Sequence, residues 1–301
     1  MVLFYHCHTV FGGWQWFARG YLAVDFFFTL SGFVMARTYG SDLRNGAMAP
    51  NSFLVARYKR LWAPIAVGTI LGIFYQTLAK EQVTTISLIL GLLLIPDLTT
   101  EKPYTLNRPA WSIFFELFAN AIHAIILRKS NVAILSAVSF VSLVWLFFVS
   151  LPFDAIAVGF RSADFHNGIA RVMASYCLGM VIAKIRPSDI SVPWLATAML
   201  TAILLLLPIG VLWDLLFVAI LAPVLVIVGA NDFGGRVGAI LGALSFPLYA
   251  VHFPIFQIGT HFQIAEALTL FTTFITAGAV AIWIDKRLLA LLSRLTSRNC
   301  R

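Results

Sequence analysis

The chain has few charged residues and few cysteines. Only 11% of its 301 residues are Asp, Glu, Lys or Arg, whereas 60% are hydrophobic. With a mean hydropathy of +0.90, this composition excludes a soluble domain of ordinary type. Cys7, Cys177 and Cys300 are widely spaced and form no CxxC pair, so they predict neither a disulfide framework nor a metal site.

Long apolar stretches recur along nearly the whole chain, and they do not alternate in polarity as strands would. We therefore predict an all-α integral membrane protein, a bundle of about ten transmembrane helices. The predicted helices are residues 1–15, 20–38, 60–79, 110–128, 132–150, 169–185, 193–209, 212–229, 237–258 and 268–288. Residues 84–96 are apolar but too few to span, so a re-entrant or interfacial segment is expected there.

The positive charge has a topological explanation. The net charge is +8, but the basic residues lie beside apolar segments rather than in one stripe, so no nucleic-acid partner is expected. If residues 84–96 do not cross, 15 of the 21 Lys and Arg residues fall on the cytoplasmic side. They are Arg37, Arg44, Arg57, Lys59, Arg60, Arg128, Lys129, Lys184, Arg186, Arg236, Lys286, Arg287, Arg294, Arg298 and Arg301. This bias favours ten helices with both termini cytoplasmic.

Four ionisable residues lie inside predicted spans. His6, Asp25, Glu116 and His252 stand on four different helices, each about 10 Å from the outer surface when counted at 1.5 Å per residue. Ionisable groups in lipid are costly, so this shared depth favours a polar pocket that opens outward. The alternative is that they only hydrogen-bond neighbouring helices or cap helix ends.

A second group of ionisable residues lies at the opposite face. Arg57 and Arg60 are three residues apart, so on a helix they share a face and can hold one anion between them. Positive charge at the cytoplasmic face would also be expected without any ligand.

Six motifs follow one another along the chain. They are Leu3-Phe4-Tyr5-His6, the block Gly20 to Phe33, Arg57-Tyr58-Lys59-Arg60 with Pro64, Trp111-Ser112-Ile113-Phe114-Phe115-Glu116, Arg171 to Gly179, and Ser245 to Pro254. In this order they resemble the acyltransferase 3 family of integral-membrane O-acyltransferases, over nearly the whole chain.

The resemblance implies an enzyme of the bacterial plasma (inner) membrane. Such an enzyme takes an acyl group, often acetyl, from cytoplasmic acyl-CoA and transfers it to a hydroxyl, commonly of a cell-surface or exported carbohydrate. Its partners are membrane lipid, the acyl-CoA co-substrate and the acceptor, with no permanently bound cofactor and no metal. By position, His6 matches the catalytic histidine of the family, and Arg57 and Arg60 match arginines that meet the phosphates of coenzyme A.

Acyl transfer to an alcohol needs a base and a stabilised oxyanion. We predict His6 as the general base, with Asp25 or Glu116 holding its imidazole; the sequence does not choose between the two. Ser31, Trp111, Tyr249 and His252 are expected to line the pocket. The donor's pantetheine arm would bridge about 20 Å of a ~30 Å core between the arginines and His6.

We assign residues 1–288 to the acyltransferase 3-like transmembrane domain and residues 289–301 to a short basic cytoplasmic tail. Members of the family usually carry an arginine about ten residues before the first-helix histidine, but this chain begins five residues before His6. A truncated first helix is therefore expected. Two alternatives remain at this stage: a transporter or flippase for a sugar-lipid or anion, and an inactive homologue. The oligomeric state is left open.

Overall fold

The computed structural model describes residues 1–12, 15–185, 210–230 and 235–284, and in these ranges every regular element is a helix. The helices are α1 (Val2–Phe11), α2 (Ala23–Asn45), α3 (Pro50–Leu78), α4 (Thr85–Leu92), α5 (Ala110–Ile125), α6 (Val132–Ser150), α7 (Asn167–Ile185), α8 (Val211–Gly229), α9 (Gly235–His261) and α10 (Glu266–Ile284). The predicted helix 193–209 and the tail 289–301 lie outside the described residues.

Six helices in the described part of the chain are long and apolar enough to cross a membrane: α3, α6 with the turn after it, α7, α8, α9 and α10. The helix α5 is apolar but has only 16 residues. The 23-residue α2 is not among the six, because charged residues interrupt it, beginning with Asp25. The chain is therefore a multi-pass helical membrane protein, as predicted, while the number of ten crossings stays a prediction.

Two helix boundaries differ by seven or more residues from those predicted by hydropathy. The helix α2 continues past residue 38 and ends only before Gly46, whose φ of 78° is the left-handed conformation typical of a helix C-terminus. The helix α3 begins at Pro50 rather than at residue 60, because proline is favoured in the first turn, where its missing N–H costs nothing. Arg57 and Arg60 consequently lie within α3 and not at its entrance.

The connection from α3 to α5 folds back alongside α3. Its helix α4 is capped by Thr84, whose hydroxyl accepts a hydrogen bond from the Ser87 N–H at 3.0 Å. Eight residues extend only about 12 Å, so α4 does not cross. Its last carbonyl, that of Leu92, accepts from the indole N–H of Trp62 at 2.6 Å. Trp62 lies about 24 Å before the end of α3, so the connection reaches well down that helix.

Asp97 holds this connection together. Its buried carboxylate accepts hydrogen bonds from the hydroxyl of Ser87 and from both the N–H and the hydroxyl of Thr99, at 3.1 and 2.6 Å. These bonds, that from Ser87 first, lower the pKa of the Asp97 carboxyl. We call the end of the bundle that carries residues 79–109 and 151–166 the loop end, and the other the opposite end.

The helices α2 and α7 are in close backbone contact. A Cβ at Gly32 would lie 2.1 Å from the carbonyl oxygen of Tyr176, and one at Gly179 would lie 2.0 Å from that of Thr29. Small residues of this kind let two helices approach within a membrane. The contact fixes α7 against α2 and so brings together the residues that these helices carry near the loop end.

The helices α3 and α9 also meet closely, at Gly68, where a Cβ would lie 2.0 Å from the carbonyl oxygen of Ala250. Pro254 has no N–H, so this carbonyl lacks its usual partner within α9. The side chain of Asn107 supplies one, through Nδ2 at 2.9 Å. The loop before α5 is thereby joined to the part of α9 that contains His252.

Candidate active site

Two histidines from distant parts of the chain meet near the loop end. The Nδ1 atom of His6 on α1 lies 2.8 Å from the Nε2 atom of His252 on α9. His252 is fully buried, and its other ring nitrogen, Nδ1, lies 2.8 Å from the carbonyl oxygen of Tyr249 and 3.1 Å from that of Leu248. Every ring nitrogen in this pair except Nε2 of His6 therefore has a hydrogen-bond partner.

When both rings are neutral, these partners determine their tautomers. A carbonyl oxygen only accepts, so Nδ1 of His252 carries the proton and donates it to the backbone. The Nε2 atom of His252 then has a free lone pair, and it accepts a hydrogen bond from Nδ1–H of His6. In this assignment Nε2 of His6 is unprotonated, which is the state a general base requires.

His6 lines a cavity of about 270 Å³, which we call the histidine cavity. Its wall is formed by Val2, Tyr5, His6, Thr9, Tyr21, Val24, Glu101, Lys102, Tyr104, Arg108, Pro109, Trp111, Ala157, Phe160, Arg161, Arg171, Tyr249 and Phe253. Many of these residues belong to the loop-end connections, so the cavity lies at that end of the bundle. Aromatic and cationic side chains dominate its lining.

The carboxylate of Asp25 forms its side-chain hydrogen bonds with Arg171 and not with His6. This carboxylate, fully buried, accepts two hydrogen bonds from Arg171 on α7: Nε to Oδ1 at 2.9 Å and Nη2 to Oδ2 at 2.7 Å. The guanidinium of Arg171 lines the histidine cavity and lies 5.2 Å from the ring centroid of Trp111. The expectation that Asp25 holds the imidazole is therefore corrected, and His252 has that position.

Glu116 is also paired elsewhere. Its Oε1 atom accepts hydrogen bonds from Nη2 of Arg57 at 2.8 Å and from the hydroxyl of Ser31 at 3.0 Å. The predicted depth of Glu116 assumed that Pro109 lies at the outer surface. In the structure the carbonyl of Pro109 accepts from the hydroxyl of Tyr249 at 2.9 Å, so α5 begins at the level of the histidine pair. Glu116, seven residues later, lies about 10 Å deeper.

Arg57 and Arg60 line a second cavity, of about 530 Å³, which we call the arginine cavity. Ser31 and Glu116 belong to the same wall. Arg57 is buried and its charge is opposed by Glu116, whereas Arg60 is exposed and forms no ion pair with any described residue. The two arginines predicted to hold one anion therefore differ, and only Arg60 has a charge that is free to bind it.

A third, mainly apolar cavity of about 410 Å³ lies between the other two. It shares Val2, Val24 and Tyr249 with the histidine cavity. It shares Phe27, Leu30, Ser245 and Phe246 with the arginine cavity. The three cavities therefore adjoin in series, from the loop end to the opposite end.

Comparison with known proteins identifies the family of this chain. Residues 1–286 match a family model described as an acyltransferase domain. The chain belongs to the acyltransferase 3 family. It is similar to "Protein 2 in picA locus" of Rhizobium radiobacter, with 36% identity over 126 residues that cover 36% of this chain and 66% of that protein. The chain thus spans just under two thirds of this relative. No solved structure matches it.

In this member of the family the predicted site residues form two groups. His6, Trp111 and Tyr249 line the histidine cavity, with His252 bound to His6. Ser31, Arg57, Arg60 and Glu116 line the arginine cavity instead. Arg171 is a site residue that the sequence reasoning did not select, although it begins one of the six motifs. A charged residue within a predicted span was the signal that could have identified it.

Proposed function

We propose that this acyltransferase transfers an acyl group, acetyl in the simplest case, from acyl-CoA to a hydroxyl of a carbohydrate acceptor. His6 is the general base. The observation that carries the proposal is the hydrogen bond between His6 and His252, because it leaves Nε2 of His6 unprotonated in a residue that lines a cavity.

The reaction balances with this one base. Nε2 of His6 takes the proton of the acceptor hydroxyl while that oxygen attacks the thioester carbonyl carbon. The tetrahedral intermediate then collapses, the C–S bond breaks, and the departing thiolate of coenzyme A takes the proton from His6. The hydrogen bond to His252 keeps the imidazole oriented through both transfers.

Arg171 is the proposed donor to the oxyanion. Its guanidinium lines the same cavity as His6. The Nη1 group has two N–H bonds, and among the described residues its one hydrogen bond is a long one to the carbonyl of Val158, at 3.4 Å. A donor already fixed in the right position stabilises developing charge without the reorganisation that water needs. The two hydrogen bonds to Asp25 hold the guanidinium of Arg171 in place.

The acyl donor enters from the opposite end, which we take to be cytoplasmic. The phosphates of coenzyme A bind at the arginine cavity, with Arg60 as the first contact and Arg57 beside it. The pantetheine arm passes through the apolar cavity, and the thioester reaches His6. The series of three adjoining cavities supports this path. In the inner membrane both termini are then cytoplasmic, and the acceptor approaches from the loop end.

The test is acyl transfer from labelled acetyl-CoA in membranes that contain the full chain. His6→Gln should lower the rate by roughly 10²–10⁴-fold, the usual contribution of a general base. His261→Gln, at the exposed end of the same helix as His252, is the matched control and should transfer normally. Normal transfer by the His6 variant would overturn the base assignment.

The donor site needs a separate measurement. Arg60→Gln should weaken acetyl-CoA binding about twofold to fivefold, as expected for the loss of an exposed charge contact. Its binding should become less sensitive to salt, because one phosphate contact is removed. Lys129→Gln, an exposed cation outside the arginine cavity, is the control. Equal affinity in both variants contradicts the path from the opposite end.

A further inference from the structure

Three cations face the histidine cavity from the loop end. Lys102 and Arg108 come from the connection before α5, and Arg161 comes from the loop before α7. The cavity lining contains one carboxylate, Glu101. None of the three cations forms an ion pair with any residue that the structure describes.

Aromatic rings of the cavity wall fix the two arginines. The guanidinium carbon of Arg108 lies 5.2 Å from the ring centroid of Phe253, and that of Arg161 lies 5.1 Å from the ring centroid of Phe160. Both phenylalanines line the histidine cavity themselves. Cation–π contacts of this kind hold a guanidinium in place without neutralising its charge. The arginines are therefore positioned while their N–H groups stay available.

No ion pair among the described residues compensates the charge of Lys102, Arg108 or Arg161, although Glu81 and Glu101 lie near enough to Arg108 to interact with it. The charge of Arg171, the fourth cation of the lining, is cancelled by Asp25. Partial burial and then the nearby charge of Arg108 lower the pKa of Lys102, and the charge of Glu101 opposes this only in part. A negative ligand placed among them relieves this repulsion, and a neutral ligand does not.

We propose that the acceptor is an anionic carbohydrate, with a carboxylate or phosphate that binds Arg108 and Arg161 while a neighbouring hydroxyl reaches His6. The inference rests on the proposed function and names its substrate class. The cavity of about 270 Å³ lies just below the usual range for ligand pockets, which starts at ~300 Å³, so it holds a small group. The negative charge therefore belongs to the acylated ring or to the next one.

The experiment compares sugars that differ only in charge. Trigalacturonate and its neutral methyl ester form one pair of probes, and maltotriose phosphate and maltotriose form the other. Binding to the purified full chain is measured at low ionic strength. The charged member should bind about tenfold more tightly in at least one pair, as expected for charge-assisted hydrogen bonds to arginine. The pair with the larger ratio identifies carboxylate or phosphate as the recognised group.

Matched variants show whether these arginines cause the preference. The double variant Arg108→Gln and Arg161→Gln should lose the preference while it binds the neutral sugars unchanged. Glu101→Gln, which removes the one carboxylate, should increase the preference. Lys80→Gln removes an exposed cation that does not line the cavity and should change nothing. Equal binding of charged and neutral sugars in both pairs overturns the inference, as does a preference that survives the double variant.

The same measurement on His6→Gln separates this inference from the proposed function. Binding of the charged sugar should persist in that variant, since the base does not bind the anion. If the unaltered protein transfers no acyl group but prefers the charged sugars, the function fails and the anion site stands. If it acylates neutral and charged sugars equally and depends on His6, the function stands and the inference fails.

Discussion

Replacement of His252 tests the role of the histidine pair directly. His252→Leu removes the acceptor of the Nδ1–H of His6 and leaves the imidazole free to change tautomer and to rotate. A buried hydrogen bond of this kind is worth about 0.5–1.5 kcal/mol, or roughly 2- to 13-fold in the population of the active tautomer. A misplacement of ~1 Å costs about 10²-fold more. We expect kcat to fall by roughly 10²–10³-fold, because the two factors multiply.

The conservative variant His252→Gln gives the decisive comparison. A glutamine amide oxygen reaches about as far as the imidazole Nε2 and accepts the same hydrogen bond, so kcat should stay within about tenfold of the unaltered protein. Assays of acetyl transfer under saturating acetyl-CoA measure kcat. The KM for acetyl-CoA should change in neither variant, because the proposed phosphate contacts lie at the opposite end.

Two results would refute this reasoning. If His252→Leu transfers acetyl as fast as the unaltered protein, the hydrogen bond has no part in catalysis. If the glutamine and leucine variants lose activity equally while both remain folded, His252 acts through something other than its acceptor nitrogen. Thermal unfolding in detergent distinguishes these results from simple loss of structure.

Three further predictions concern stability. Asp25→Ala leaves Arg171 buried without its partner and should cost about 3–5 kcal/mol, while adding Arg171→Met should restore much of the loss in thermal unfolding. Gly179→Leu should cost about 1–3 kcal/mol or more, because its Cβ would lie 2.0 Å from a backbone oxygen of α2, whereas Gly278→Leu meets nothing within 4 Å. The hydroxyl hydrogen bonds of Asp97 lower its pKa, so its stabilisation is complete above the ordinary value of ~3.9 and is lost as the pH falls through the lowered pKa. Limited proteolysis of the surrounding loop should increase in that acid range, and Asp97→Ala should show the increase already at neutral pH.

Hydropathy predicted the helical class and most of the long helices, because the need to satisfy backbone groups in lipid leaves few alternatives. It misplaced the start of α3 by ten residues, since Pro50 and the residues after it are polar enough to suggest a loop. A helix that extends beyond the apolar core carries polar residues at its end, and a hydropathy scale alone does not distinguish these from a connection.

Counting residues from the helix ends, to estimate depth in the membrane, succeeded for two ionisable side chains and failed for a third. It placed His6 and His252 at one level, and the structure joins them. It misplaced Glu116, because α5 begins inside the bundle, and that start depends on a contact between Pro109 and Tyr249, residues 140 positions apart. The partner of Asp25 could not be predicted in this way either. The packing of α2 on α7 depends on close backbone contact at Gly32 and Gly179, which hydropathy does not describe.

The pair formed by Asp25 and Arg171 also has a consequence for biogenesis. The two residues are 146 positions apart, so α2 is synthesised long before its counter-charge exists. At about 5–20 residues per second the delay is on the order of ten seconds. An unpaired Asp at the centre of a helix adds about 3 kcal/mol to the cost of membrane insertion, and Asp25, in the first turn of α2, adds less. The arrival of α7 removes this cost, so α2 gains stability in the membrane only after Arg171 has been synthesised.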